Sequence, residues 1–249
     1  MTKYSDWARY FEQNVWPEFG VAGGSLSKAE RDLVAQSIGQ FQLGEDSGGR
    51  TLLALGREFA GAAGEPGYLR SLELFIAEEQ RHASMLGRFM DGEGIPRLTR
   101  DRADRVFRLV RKLWGLECML TVLMSAECVA LPYYSALHEA TQSAALRAIC
   151  RQILRDEAMH LKYQGQTLAR LGAGRGFWMT SVAQMLQRGA VLGAATLVYA
   201  QHRRFFRAVG WPWEDVLEAA FQGLTEVQRR SEGARRSAKG QKGHLCLLK

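Results

Sequence analysis

Apolar residues recur at every third or fourth position through most of this chain, and the two-residue alternation that marks strands is scarce. The stripe Val34, Ile38, Phe41 belongs to a helix predicted over 28–60. It opens at Ser27, whose spacing to Glu30 makes a capping box in which each side chain satisfies the other's free backbone N–H. "GAAGEPG" at 61–67 breaks the pattern, and a second helix follows over 66–91, stopping at "DGEGIP". A basic amphipathic run, "DRADRVFRLVRK" at 101–112, leads into a third helix that reaches about 141. After the tight connection "ATQS", a fourth helix covers 144–171 and ends at "GAGRG". A fifth helix covers 177–208 and a sixth 213–230. The aromatic lead-in 4–19 offers Trp7, Phe11 and Trp16 to the body.

Helices one to four are long and joined in pairs by short turns, which predicts an all-α, antiparallel four-helix bundle with two additional C-terminal helices packed outside it. The expected organisation is a single domain over 1–232, with the bundle in 28–171, followed by a basic, disordered tail at 233–249.

Each of the four stripes is interrupted by an acid. On helix four it runs Leu146, Ile149, Ile153 and then meets Glu157 and His160. On helix two, "FIAEEQRHASML" places Glu79 and His82 at the same three-residue spacing. Residues three apart project from one helix face, so a Glu and a His so placed can hold one metal ion. Helix one continues from Phe41 to Glu45, and helix three runs Leu116, Leu120, Leu123 to Glu127. Counted from the connecting turns at 1.5 Å per residue, all four carboxylates lie at about the same depth, ~20 Å. Four buried carboxylates need strong compensation, and divalent cations provide it. The predicted metal ligands are therefore Glu45, Glu79, His82, Glu127, Glu157 and His160. Asp156 and Glu78, each preceding a ligand Glu, are expected to support the outer N–H of His82 and of His160, respectively, across the bundle.

Charge changes the picture only at the end of the chain. Residues 227–249 carry seven Lys/Arg against one Glu, which accounts for +6 of the net +7. Nucleic acid would bind, if at all, through this tail. Cys118, Cys128, Cys150 and Cys246 lack metal-type spacing and read as thiols of a reducing compartment. The start of the chain lacks the apolar core of a signal peptide, and the longest apolar run, 189–200, is too short to span a bilayer. The expectation is a cytoplasmic protein without a membrane span.

The pattern E…ExxH…E…DExxH, met by Glu45, Glu79/His82, Glu127 and Asp156/Glu157/His160, resembles the ferritin-like di-iron carboxylate superfamily over about residues 28–171. The resemblance implies two Fe ions, with Mn/Fe open, and an O₂-dependent oxygenase or oxidase. Its partners would be O₂, a small apolar or aromatic substrate and an electron donor, with a homodimer as one state of assembly. Phe41, Phe75, Ile76, Leu86, Met124, Leu131 and Ile153 would line the O₂ and substrate pocket. Three of these positions depart from subfamilies with known chemistry. Ile153 stands where arylamine N-oxygenases carry a further His, Leu86 where ribonucleotide reductase small subunits carry a radical Tyr, and Leu131 where multicomponent hydroxylases carry a Thr. A tRNA-modifying hydroxylase and a non-enzymatic iron-binding or ferroxidase protein remain as alternatives.

Overall fold

The structure, a computed structural model, describes residues 1, 3–16, 26–46, 49–99 and 115–246, with side chains through Arg229. All regular structure among these residues is α-helical: α1 (Tyr4–Gln13), α2 (Lys28–Glu45), α3 (Arg50–Ala63), α4 (Pro66–Gly92), α5 (Leu116–Ala140), α6 (Ala144–Leu171), α7 (Phe177–Ala208) and α8 (Trp213–Cys246).

Helix starts follow local chemistry. Ser27 and Ser143 accept the backbone N–H groups of Glu30 and Leu146, both at 3.2 Å. Pro66 opens α4, where its missing N–H costs nothing. The capping box at Ser27 is half used. The Glu30 carboxylate reaches instead across the fold to Thr141 Oγ1 (2.5 Å) and Gln142 N (3.1 Å), tying the start of α2 to the α5–α6 connection.

The helix predicted over 28–60 is two helices. α2 ends at Glu45, and α3 starts after Gly49, which has φ +60°. A side chain is rarely tolerated there, and an added Cβ would also meet Ile76 Cδ1 at 2.6 Å. At the other end, the backbone of α8 stays helical to Cys246, well past the predicted end near 230. Ala, Arg, Lys and Gln, good helix formers, make up seven of residues 231–246, against three glycines. The basic run 101–112 lies outside the described residues.

α4 packs against α1, α2, α3 and α6, while α5 packs against α3, α6, α7 and α8. The core has two apolar clusters, and five helices cross from one to the other, three of them (α4, α5 and α6) carrying acids at the crossing. On α4, Tyr68, Leu72 and Phe75 belong to one cluster, and Leu86, Phe89 and Met90 to the other. On α5 the crossing falls around Glu127, and on α6 it falls between Ile153 and Leu161. Each fully buried large side chain contributes about 1.5–3 kcal/mol, so the acids between the clusters are held in place by apolar packing on both sides. α5 is apolar and long enough by composition to cross a bilayer, but 67% of its most apolar window is buried inside the protein, as in a core helix.

Candidate metal centre

Glu79 and His82 on α4, and Glu157 and His160 on α6, face one another where the helices cross between the clusters. Glu45, the last residue of α2, and Glu127, near the middle of α5, close the two sides. Ligand atoms of Glu45, Glu79, His82 and Glu157 lie within 4.8 Å of one another, and so do those of Glu79, Glu127, Glu157 and His160. Either group could hold a metal ion. Both contain Glu79 and Glu157. His82, Glu157 and His160 are fully buried, and the Glu79 side chain is the most exposed of the six at 16%.

The two imidazoles point the same way. His82 Nδ1 is 3.5 Å from Glu157 Oε1 and 3.8 Å from Glu45 Oε2. His160 Nδ1 is 2.7 Å from Glu79 Oε1 and 3.3 Å from Glu157 Oε2. The Nε2 atoms face outward, each to a carboxylate: His82 to Asp156 Oδ2 at 3.2 Å, and His160 to Glu78 Oε2 at 2.9 Å. A carboxylate accepting Nε2–H leaves the Nδ1 lone pair directed into the cluster.

Protons hold the charges together in the protein alone. Burial and then the negative charge of Glu127 push the Glu79 carboxyl up to about 8. Burial opposes a charged His82, but its hydrogen bond to Asp156 and the nearby carboxylate of Glu45 prevail and raise it to about 9. His160 is likewise raised, with burial outweighed by the charge of Glu79 and by its carboxylate contacts. Glu45 and Asp156 are lowered, because their bonds to His82 outweigh burial.

The donor set fits a divalent cation. His82 Nδ1 and Glu157 Oε1 are buried, face each other, and have no hydrogen-bond partner among the described residues. Such orphaned atoms carry a desolvation cost that a cation between them would remove. Oxygen and imidazole donors suit Fe, Mn or Zn.

Several supporting residues escape a reading of the sequence. Asn14, just past α1, donates through Nδ2 to Glu78 Oε1 (2.7 Å) and Asp156 Oδ1 (2.8 Å). Arg81 Nη2 reaches the same Glu78 oxygen at 2.7 Å, and Gln152 Nε2 donates to Asp156 at 3.0 Å. Tyr134 OH donates to Glu45 (2.9 Å), and Gln164 Nε2 donates to Glu127 (2.9 Å). Gln164 stands four residues after His160 and so had a periodicity signal; Asn14 had none. The Trp16 ring lies 5.1 Å from the His82 ring, its plane tilted by 30°, and covers the imidazole.

The seven predicted pocket residues divide between the two clusters. Phe41, Leu86 and Ile153 lie on one side of the acids, and Phe75, Ile76, Met124 and Leu131 on the other. Phe75 meets the His160 ring edge-on at 4.7 Å, while Phe41 stacks on Tyr133 at 3.5 Å.

No family model, no curated protein and no solved structure matches this chain.

Proposed function

We propose that this protein is a ferritin-like dinuclear metalloprotein that holds two iron ions and uses O₂ to oxidise a small, largely apolar substrate. The observation that carries this reading is the overlap of two four-residue ligand groups through Glu79 and Glu157. Shared carboxylates between two Glu/His sets are the hallmark of paired metal ions in helical bundles. In this reading α2 with α3, α4, α5 and α6 form the four-helix core, and α7 and α8 are the additional pair.

Glu45 and His82 would complete one ion's set, and Glu127 and His160 the other's, with Glu79 and Glu157 bridging. When bound, such ions supply the electrons for O₂ reduction. The chain's own part is positional. Asp156 and Glu78 fix the imidazole tautomers, Tyr134 and Gln164 fix the terminal carboxylates, and Phe75 and Trp16 keep water from the imidazoles. The apolar clusters on both sides suit a hydrophobic substrate.

The test is anaerobic loading with Fe(II), metal analysis, and then exposure to O₂. About two irons per chain and an O₂-dependent absorbance change are expected. A folded protein that takes up no iron ends the proposal. Continued Fe(II) oxidation far beyond the bound ions, without an organic product, would assign the site to iron handling instead.

A further inference from the structure

The outer face of α7 is apolar and exposed, with no other described residue packed over it. Trp178, Val182, Met185, Gly189, Leu192 and Thr196 follow one another at three- and four-residue steps, so they share a face. Trp178 is 81% exposed, Met185 70% and Leu186, beside them, 67%. Trp178, Val182, Met185, Leu186 and Leu192 together expose on the order of 600 Å², at the top of the 300–600 Å² range of a monomer's largest patch and approaching the ~800 Å² per partner of a standard interface. The opposite face of α7 is buried from Val191 onward, through Ala194, Ala195 and Val198, and half-buried before it at Thr180, Ala183, Gln184 and Gln187.

We propose that this face is a homodimer interface in which α7 of one copy lies antiparallel on α7 of a second. Three observations favour a second copy over other occupants. First, among the described residues nothing lies within 4 Å of a Cβ built at Gly189 or Gly193, so another helix backbone can approach closely at the centre of the stripe. Second, a hollow of about 240 Å³ lies further along the same helix, lined by Thr196, Tyr199, Ala200, Arg203 and Trp213. A two-fold axis between Gly189 and Gly193 brings Trp178 of one copy over this hollow in the other. An aromatic knob, an apolar floor and an Arg edge are the usual composition of an interface hot spot. Third, α7 has no Asp or Glu, and three of its four arginines, the exposed Arg203, Arg204 and Arg207, lie at one end of the face, with Arg188 at its edge near the middle. Parallel pairing would bring both sets together, whereas antiparallel pairing separates them by ~40 Å. A membrane-surface helix would show its cations on the polar face opposite the apolar one, and here that face, running through Thr180, Gln184, Gln187, Val191 and Val198, carries none.

The experiment is sedimentation and light scattering on the full chain, with Gly189→Arg and Met185→Glu as variants. A particle of twice 27.9 kDa is expected for the wild type. Each variant should weaken self-association by about 100-fold or more while leaving helical content unchanged. A short bismaleimide should join Val182→Cys copies to Ala200→Cys copies, and should not join Arg203→Cys copies to each other. A monomer at all concentrations up to about 100 μM overturns the proposal, whether Trp178 then proves shielded by another segment of the chain or responsive only to anionic vesicles. A dimer that survives both substitutions, or a cross-link between Arg203→Cys copies, also overturns it.

Discussion

Glu78 and Asp156 are joined through one amide, since Asn14 Nδ2 donates to both carboxylates at 2.7 and 2.8 Å. These are the carboxylates that receive the outer nitrogens of His160 and His82. The orientation of both imidazoles therefore depends on a residue outside the ligand-bearing helices.

Replacing Asn14 by Leu should loosen both histidines at once. Metal affinity is expected to fall about 10–100-fold, the usual effect of removing an outer partner. Competition with a chelator measures it. Asn14→Asp should be worse than Asn14→Leu, because it sets a third negative charge against two.

The ligands should not be equivalent. Glu157 belongs to both groups, while Glu45 and Glu127 each belong to one. Glu157→Gln is expected to abolish metal uptake, while Glu45→Gln or Glu127→Gln leaves about one ion per chain. Metal analysis after gel filtration separates these outcomes, and equal losses for all three variants would count against a shared bridge.

Metal and protons should compete. Folding raises Glu79 from 4.5 to about 8 and His82 from 6.5 to about 9. A group that binds its proton more tightly when folded stabilises the fold at low pH and loses that contribution as pH rises. The metal-free protein should therefore lose stability between about pH 4.5 and 9. Glu45 and Asp156, lowered from 4.5 and 3.8, act oppositely, but only as pH falls below those values. Melting temperatures should decline from pH 6 to 9 without metal and decline less with it. Metal titrated at pH 7 should release protons, which calorimetry in buffers of different ionisation enthalpy detects.

Gly49→Ala should destabilise by about 1–3 kcal/mol through its positive φ and its collision with Ile76. Urea denaturation reads the loss. Ile76→Ala in the same background should recover the steric part and leave the backbone part.

The paired ExxH segments were legible because helical periodicity alone places them on one face. Glu45 was legible for a partly mistaken reason. An unbroken helix over 28–60 puts it at the right depth, yet α2 stops at that residue. The count survives because α3 resumes along the same partner, α4. The break itself was written in "SGGR", where two glycines interrupt the stripe. Asn14 could not be found this way. Its partners lie 64 and 142 residues away, and a single amide after a short aromatic helix has no local pattern. The turn of Glu30 toward Thr141 is similar, since a local cap lost to a long-range partner that only the folded chain brings near.

Position along a helix also decides how a ligand can respond. Glu157 sits within α6, fourteen residues before its end, and can move only if the whole rod moves. Glu45 terminates α2, and its carboxylate can shift with the last turn alone. The cluster thus has one stiff wall and one adjustable corner, and changes in coordination during a reaction would be absorbed at Glu45.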